Sequence, residues 1–377
     1  MARPVSVCYF GAYRPSYPRN LAIRRSLTSA GIPIVECRVP PKWPNVRRWP
    51  ALAGQFLSQR SARISSIILV AEFCHTVVPL AWLLSRLSGA ALIFDPGISF
   101  YDEMVVCQRA HRPTSFRAQY LKALDGLAFR LPDVVMWFTP IDEEYFGRLY
   151  QIPNTRSAWL PPGIDEALFT HTSPPESQTP FIVHWDGSFI ASHGIDAILQ
   201  SAHILREHSD IIFELVGDGP LARQMRTSAE TMGLSNVIFF GSVPASELAA
   251  SVQRAHVCLG AFRGDDKQRR SLYTKELQAM FAGRPVITAD GEAKRRVFVA
   301  GRDLWLIPPD SPSDLADALL ALRNDPAKRY SLASSGRIAV SALCTSDALR
   351  LRLTEIAERA LNQRHRGIVG QNPSPPL

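Results

Sequence analysis

The chain has 377 residues, 46% hydrophobic and 20% charged, a composition typical of a folded protein rather than a fibrous or disordered one. Its length exceeds what one core usually supports and predicts two domains of about 150 to 200 residues each. The net charge of +8 favours anionic partners, but zinc-finger spacing, an aromatic RNA-binding strand and a basic tail are all missing, so we expect no nucleic-acid partner.

Short β-branched runs alternate with longer helical patterns along the chain. This alternation is typical of parallel sheets covered by helices on both faces, so we predict an α/β fold with two Rossmann-like, doubly wound domains. The predicted strands of the first half are residues 5–10, 33–37, 67–71, 91–94 and 134–138. Those of the second half are residues 181–185, 211–216, 237–240, 257–259, 285–289 and 304–307.

Prolines, glycines and small polar residues cluster at 161–165 and 172–180, which is typical of an exposed linker. We therefore predict an N-terminal domain at 1–174, a C-terminal domain at 175–362 and a disordered polar tail at 363–377. Ligands of parallel sheets bind outside the carboxyl ends of the strands. Two such domains are predicted to face each other across a cleft that holds the substrates.

Several candidate ligand-binding residues follow predicted strands of the first half. They are Gly11, Ala12, Arg19, Asp95, Ser99 and Asp102. A glycine at the end of a strand lets the backbone approach a ligand closely, although it also suits an ordinary turn into a helix. The polar side chains at 95–102 are predicted to bind ligand hydroxyl groups, with Asp95 lining the cleft rather than capping a local turn.

The segment 42–63 interleaves tryptophans with arginines, among them Trp43, Arg47, Arg48 and Trp49. This mixture suits a peripheral contact with an anionic membrane, where rings lie among head groups and arginines meet lipid phosphates. It also suits an amphipathic helix packed on the sheet, which is the interpretation that we favour.

The segment 270–287 predicts a loop, a helix that begins near Leu272 or Tyr273 and ends at Gly283, and a buried strand. Free N–H groups and the helix dipole make such a start a site for a diphosphate. Lys275 in the first turn adds a full positive charge. The spacing alone is equally compatible with a solvated surface lysine.

The pattern of Lys275, Gln278, Ala279 and 283–287 resembles the donor-binding segment of glycosyltransferase family 4, whose members are retaining enzymes with the two-domain GT-B fold. Other segments follow in the order of that family, namely 181–187, 193–195, 215–220, 237–241, 306–309 and 325–326. The resemblance is strong over about residues 180 to 340 and weaker in the first half.

The resemblance implies a role for each matching position. The first domain would bind the acceptor, through the candidates given above, and the second a nucleotide-sugar donor. The implied donor-binding residues are Gly187, Ser188, His193, Gly217, Arg270, Ser271, Leu272, Tyr273, Lys275 and Gln278. Lys275 would hold the diphosphate, while Gly217 also suits a plain tight turn, which is its favoured role.

The chain departs from the family at five of these positions. Gln278 and Arg270 stand where the family has two glutamates, which contact the ribose and the sugar. Ser188 and His193 replace an arginine and a lysine that contact phosphate; both can donate hydrogen bonds, and His193 is expected near its titration range at physiological pH. Asp95 stands where many relatives have a histidine that touches the donor sugar.

These observations predict a retaining, metal-independent glycosyltransferase without a cofactor, with Asp95 and Lys275 as catalytic residues. The adjacent Asp265 and Asp266 lack the spacing and the third ligand of a metal site. The acceptor is expected to be a glycan, a glycolipid or a small molecule. A non-catalytic scaffold subunit and, with less support, a nucleotide-sugar 2-epimerase are the alternatives.

The cellular location is expected to be the cytoplasm, with the inner face of the membrane as the site of any lipid contact. The six cysteines are far apart and lie mostly in apolar runs, so buried reduced thiols are predicted. The first residues lack the features of a signal peptide. The longest apolar region, 67–94, is interrupted by charged residues and is predicted to be strand, helix and strand rather than a membrane span.

Overall fold

The computed structural model describes residues 5–176 and 180–369. The chain divides into two compact units. The first unit extends to Pro161 and resumes at Ser346, and the second is Pro162–Thr345. Each unit is built around its own parallel sheet of six strands, which confirms the predicted α/β class with two doubly wound domains.

The first sheet has the strand order β2-β1-β3-β4-β5-β6, with every neighbouring pair parallel. Its strands are β1 (Val7–Gly11), β2 (Ile34–Arg38), β3 (Ile67–Val70), β4 (Ala91–Phe94), β5 (Val134–Trp137) and β6 (Ser157–Trp159). The central strands β1, β3, β4 and β5 are buried along their whole length, as their apolar sequences require in a sheet covered on both faces.

Helices connect these strands. They are α1 (Pro18–Ser29), α2 (Asn45–Ser58), α3 (Arg60–Ile64), α4 (Val78–Ser88), α5 (Phe116–Arg130) and α6 (Pro140–Tyr150). Local sequence fixes several of their ends: the Thr139 side chain accepts a hydrogen bond from the Asp142 N–H at the start of α6, and Gly89 adopts a left-handed conformation after α4.

The second sheet has the order β12-β11-β10-β7-β8-β9 and is also parallel throughout. Its strands are β7 (Phe181–Asp186), β8 (Ile211–Val216), β9 (Val237–Gly241), β10 (Val257–Leu259), β11 (Val286–Ala289) and β12 (Trp305–Ile307). Its helices are α7 (Ile195–Ile204), α8 (Ala222–Thr231), α9 (Ala245–Arg254), α10 (Asp266–Arg270), α11 (Thr274–Phe281), α12 (Glu292–Val297), α13 (Pro312–Asn324) and α14 (Pro326–Cys344).

The last helix, α15 (Ser346–Val369), returns to the first unit and packs against α1 and β4. Its apolar positions recur on one face and join the first core; they are Leu349, Leu353, Ile356, Ala357 and Ala360. The prediction of a C-terminal domain that ends at 362 is therefore corrected. Residues 363–369, expected to be disordered, continue this helix, and residues 370–377 lie outside the described part of the chain.

The boundary between the units also differs from the expected position at 175. Residues 162–173 belong to the second unit because Arg284 holds them there: its guanidinium donates to the carbonyl groups of Thr172 and Ser173. The breaker-rich segment therefore begins the second unit instead of separating the two. Residues 177–179 of the predicted linker are not among those described.

The predicted strands are confirmed in both halves, with ends that differ by one or two residues, and β6 is the strand that the pattern missed. All six cysteines are free thiols, and five of them are buried, as expected. Over the described residues, no helix combines the length and the apolar character that crossing a bilayer requires.

Candidate functional site

The order of the second sheet reverses between β7 and β10, which are neighbours in the sheet but not in the chain. Ligands of open parallel sheets bind outside the carboxyl ends of the strands at such a reversal. The loop after β7 carries Gly187 and His193 to this point, and α11 adds Lys275. The structure therefore brings together three of the residues selected from the sequence.

Lys275 is the second residue of α11, and only 9% of its surface is exposed. Its Nζ atom lies 4.2 Å from the centre of the Trp185 ring and 6.0 Å from that of Tyr273. Among the described residues this ammonium group has no hydrogen-bond partner. A buried ammonium without a partner is costly, so the arrangement favours an anionic ligand over a solvated surface lysine.

Burial lowers the pKa of Lys275 to about 8. The carboxylates of Asp186 and Glu276 oppose this effect, and the positive charge of Lys294 adds to it. Although burial raises the pKa of Asp186, its contact with His184 and the charge of Lys275 lower it, so this carboxylate stays ionised. Lys275 consequently keeps most of its charge near neutral pH and gains from a further anion.

His193 lies beside Lys275 and differs from its expected behaviour. Burial and the charge of Lys275 lower the pKa of His193 to about 3, so the imidazole is neutral at physiological pH rather than close to titration. Its Nδ1 lies 2.7 Å from the carbonyl oxygen of Ser188, which can only accept, so Nδ1 carries the proton. The remaining Nε2 is then an acceptor, suited to a ligand hydroxyl group rather than to a phosphate.

Two glycines allow the loops at this point to approach each other. Gly187 has φ +143°, and a Cβ there would lie 2.7 Å from the Nζ atom of Lys275. Gly217 has φ +131°, and a Cβ there would lie 1.9 Å from the carbonyl oxygen of Gly187. Gly217 therefore supports the Gly187 loop from behind, which agrees with the favoured role of a tight turn.

The segment between α10 and α11 carries the other predicted donor residues. Arg270 ends α10 and is 6% exposed, while Leu272 is buried at 4% exposure. Ser271 follows α10, and Tyr273 precedes α11 in an extended conformation with its ring 5.4 Å from that of His193. The N-terminal end of α11 therefore lies beside the same side chains that surround Lys275.

Gln278 occupies the second turn of α11 and is 9% exposed. The carboxylate in this helix is instead Glu276, which the motif did not single out. Its Oε1 accepts a hydrogen bond of 2.6 Å from the hydroxyl group of Thr288 and lies 3.8 Å from Nζ of the fully buried Lys294. The sequence could have indicated Glu276 by its position next to Lys275 in an apolar helix.

Other charged residues of this region are committed to structural contacts. Arg263 forms ion pairs with Asp196 and Asp310, at 2.7 and 3.2 Å. Asp265 accepts a hydrogen bond from the Gln268 N–H at the start of α10 and so caps that helix. Arg263 therefore adds little free charge at this point, and Asp265 has an ordinary structural role.

In the first unit, Asp95 and Arg19, both predicted to bind a ligand, contact each other. They form a bidentate ion pair, with Nε–Oδ2 and Nη2–Oδ1 distances of 2.9 and 3.0 Å, and they are 0% and 2% exposed. Arg19 also donates to the carbonyl groups of Leu160 and Pro161. The Asp95 carboxylate is thus enclosed and already paired, and its predicted place in a cleft stays a prediction.

Ser99 and Asp102 are also buried, at 1% and 5% exposure. The Ser99 hydroxyl donates to Asp125 at 2.6 Å and accepts from the Asp102 N–H at 3.0 Å. Asp102 accepts from the hydroxyl group of Tyr145 at 3.3 Å. These contacts stabilise the loop after β4, and the acceptor-binding role of both residues stays a prediction.

Of the two residues predicted at the end of β1, Ala12 lines a cavity, whereas Gly11 is buried and does not line it. Ala12 lines a cavity of about 310 Å³, and Glu72, which follows β3, lines the same cavity. Gly11 packs against Cys74, whose sulfur would lie 2.8 Å from a Cβ at this position. The sequence contained a signal for Glu72, namely a carboxylate immediately after a fully apolar strand.

Comparison with known proteins bears on the second unit first. Residues 180–325 match the family described as glycosyl transferases group 1. We call this matched segment the group 1 domain. The domain contains β7 to β12 and every residue of the candidate site in the second unit, so the motif resemblance to glycosyltransferase family 4 is confirmed.

One relative of the group 1 domain is a protein of Salmonella typhimurium named as a colanic acid biosynthesis glycosyltransferase, WcaL. The two chains are 26% identical over 196 residues, which are 51% of this chain and 48% of WcaL. The chain thus matches about half the length of this curated relative.

Solved structures extend the comparison beyond the group 1 domain to almost the whole chain. Sucrose-phosphate synthase from Thermosynechococcus elongatus has a TM-score of 0.72 at 17% identity, covering 98% of this chain and 100% of that one. HepE from Anabaena, determined in complex with UDP, has a TM-score of 0.70 at 13% identity, covering 94% and 100%. The predicted GT-B fold is confirmed.

Proposed function

We propose that the chain is a retaining glycosyltransferase that moves a sugar from a nucleotide diphosphate sugar to an acceptor hydroxyl group in glycan or glycolipid assembly. The observation that carries this proposal is the buried, unpartnered ammonium group of Lys275 at the start of α11. The family of the second unit and the UDP bound by HepE support the choice of a nucleotide diphosphate as its ligand.

In this proposal, the diphosphate lies against the first turn of α11 and Nζ of Lys275. Departure of the nucleoside diphosphate concentrates negative charge on its terminal phosphate. A fixed ammonium group in a site poor in water stabilises that charge more in the transition state than in the ground state. Lys275 thereby supplies the charge that a metal ion provides elsewhere, so we propose that the reaction needs no metal or further cofactor.

The residues that differ from the family can bind the donor through other contacts. His193 offers a neutral Nε2 to a donor hydroxyl group, and Gln278 offers an amide where the family has a carboxylate. We propose that Gln278 accepts from the ribose. Retention of configuration is proposed from the family, with attack on the face of the departing phosphate, which takes up the acceptor proton.

A peripheral membrane contact at the cytoplasmic face is proposed for the segment around α2. Leu52 and Phe56 are buried in the first core, so this helix packs on the sheet. Trp43, Val46 and Trp49 nevertheless remain exposed, at 38%, 81% and 40%, next to basic side chains. Sedimentation with vesicles of phosphatidylglycerol, compared with vesicles of phosphatidylcholine, tests this contact; equal binding to both contradicts it.

The function itself is tested by calorimetry with UDP, GDP and ADP, followed by incubation with the matching nucleotide sugar. We expect one nucleotide to bind and its sugar to be transferred or slowly hydrolysed. Binding without turnover, under any acceptor tried, would identify a scaffold subunit. Conversion of the nucleotide sugar to an isomer without an acceptor would identify an epimerase.

A further inference from the structure

The first unit contains a cavity of about 310 Å³ that is lined by Ala12, one of the predicted acceptor-binding residues, and by Glu72, which no motif singled out. It is lined by the loop after β1 from Ala12 to Arg14, by Tyr17 and Arg48, and by Glu72 and Phe73 after β3. This volume lies at the lower end of the range for small-molecule sites. The cavity therefore suits a group of about the size of one sugar ring.

The cavity lies where the order of the first sheet reverses. β1 pairs with β2 on one side and with β3 on the other, so the connections after β1 and β3 diverge at this point. Ligands of doubly wound sheets bind outside the carboxyl ends of the strands at such a reversal. Ala12 and Glu72 both follow those carboxyl ends, so the position of the cavity agrees with this rule.

Glu72 is the polar group at the inner side of the cavity, and 3% of its surface is exposed. Its Oε1 accepts a hydrogen bond of 2.8 Å from the Asn20 amide. Its Oε2 is buried and has no hydrogen-bond partner among the described residues. An unsatisfied buried oxygen costs free energy, which a ligand hydroxyl group would recover.

The surroundings of Glu72 keep a proton on its carboxyl group. Burial and the nearby charge of Asp95 raise the pKa of Glu72 to about 8, while Arg19 and the hydrogen bond from Asn20 oppose the rise. Glu72 is therefore mostly neutral near pH 7. In this form one carboxyl group can donate a hydrogen bond to a ligand oxygen as well as accept one.

The outer side of the cavity combines positive charge with aromatic rings. Arg14 is exposed, and its guanidinium has no ion pair or hydrogen bond with any described residue. Arg48 is held in place because its guanidinium donates to the carbonyl group of Trp43. The rings of Tyr17 and Phe73 meet edge to face at 5.9 Å and form an apolar wall.

We infer that this cavity is the acceptor subsite and takes a sugar or polyol ring that carries an anionic group. A ring hydroxyl group contacts Oε2 of Glu72, the ring lies on Tyr17 and Phe73, and the anionic group meets Arg14 and Arg48. The assignment to the acceptor rests on the proposed function. The binding chemistry rests only on the residues of this cavity.

The experiment uses the full chain and three probes, glucuronate, glucose 6-phosphate and glucose, with binding measured by ligand-observed NMR. We expect the two anionic probes to bind about 10-fold more tightly than glucose, because a hydrogen-bonded ion pair contributes about that factor. Arg14→Ala removes this preference. Arg47→Ala is the matched control, since Arg47 is an exposed neighbour of Arg48 that does not line the cavity.

The pH profile separates a contact by Glu72 from a structural role. Binding of the anionic probes should weaken as the pH rises above about 8, because Glu72 ionises and repels them, and Glu72→Gln should flatten the profile. Burial raises the pKa values of Tyr17 and Cys74 to about 12 and the pKa of Tyr9 well above its usual range, so these groups do not titrate there. The other charged groups near Glu72 are Arg14, Arg19, Arg48 and Asp95, and Asp95 is paired with Arg19.

The inference is overturned if the three probes bind alike, if Arg14→Ala behaves as Arg47→Ala does, or if the pH profile of Glu72→Gln matches that of the wild type. Calorimetry with UDP, GDP and ADP on the same proteins keeps the two proposals apart. Wild-type protein that binds the anionic probes but no nucleotide would refute the transferase and leave the cavity assignment standing. The reverse result would refute only the cavity assignment.

Discussion

The ammonium group of Lys275 lies 4.2 Å above the ring of Trp185, a side chain that is fully buried. A cation over an indole ring gains about 1 to 2 kcal/mol, which offsets only part of the cost of burying an unpaired charge. The positive charge of Lys275 is therefore not neutralised when no ligand is bound. Removal of this charge should raise the free energy of unfolding and weaken ligand binding.

The variant Lys275→Met tests whether this charge lowers stability and strengthens binding. We expect the free energy of unfolding at about pH 7 to rise on the order of 2 kcal/mol, since Met fills the space over Trp185 without a buried charge. Affinity for the nucleoside diphosphate that binds the wild type should fall about 10- to 100-fold. Urea denaturation and calorimetry measure the two effects, with exposed Arg269→Ala as the control. A variant that loses stability and keeps its affinity would contradict the donor-site assignment.

The affinity for a nucleoside diphosphate should depend on the pH through Lys275. Its pKa in the free protein is lowered to about 8 by burial, so binding should be strong near pH 7 and weaken as the pH rises above about 8. His193 contributes no change between about pH 5 and 8, because its pKa is lowered to about 3 by burial. Calorimetry from about pH 6 to 10 checks both statements, and Lys275→Ala should give a flat profile. The terminal phosphate of the nucleotide itself ionises near about pH 6, so the comparison is made above about pH 7.5. A wild-type profile that is as flat there as that of Lys275→Ala would contradict the assignment.

Glu276 should prove essential to the stability of the second unit. Glu276→Ala leaves the ammonium group of Lys294, 3.8 Å from Oε1 in the wild type, buried without its counter-charge. We expect a loss of about 3 to 5 kcal/mol in the free energy of unfolding. The double variant Glu276→Gln/Lys294→Met should recover most of this loss, because it removes both charges and keeps an acceptor for Thr288. A single variant as stable as the wild type would show that the pair contributes nothing.

The pair of Arg19 and Asp95 should behave as structure rather than as catalytic machinery. Arg19→Met leaves a fully buried carboxylate unpaired, and we expect a loss of about 3 to 5 kcal/mol. Arg19→Met/Asp95→Leu should recover much of the stability and retain nucleotide binding and turnover. Urea denaturation and the transferase assay measure these quantities. A folded double variant without turnover would return Asp95 to the catalytic residues.

The fold was largely predictable because its local signals agree with each other. Buried parallel strands require apolar, β-branched runs, and these runs located all central strands. β6 was missed because its three residues, Ser157–Trp159, include no β-branched side chain, unlike the equally short β10 and β12. The return of α15 to the first unit was missed because its apolar stripe predicts a partner surface without saying which core provides it.

The candidate site was predictable in part. The convergence of Gly187, His193 and Lys275 follows from motifs that lie after strands and at a helix start, so sequence order locates them. The burial of Asp95 and its pairing were not predictable because they depend on Arg19, which is distant in sequence. The same limit applies to the neutral state of His193, since burial sets its pKa and a single sequence does not show burial.

Helix α15 has a consequence for biosynthesis. The residues that form α1 and β4 leave the ribosome early, whereas α15, which covers them, leaves it only after the entire second unit. During synthesis the apolar surface of the first unit therefore stays exposed until α15 has been made. By then all strands of the second unit have already been synthesised. Synthesis from the N-terminus would thus complete the second unit before the first. Truncation before Ser346 would yield an aggregation-prone first unit and an intact second unit.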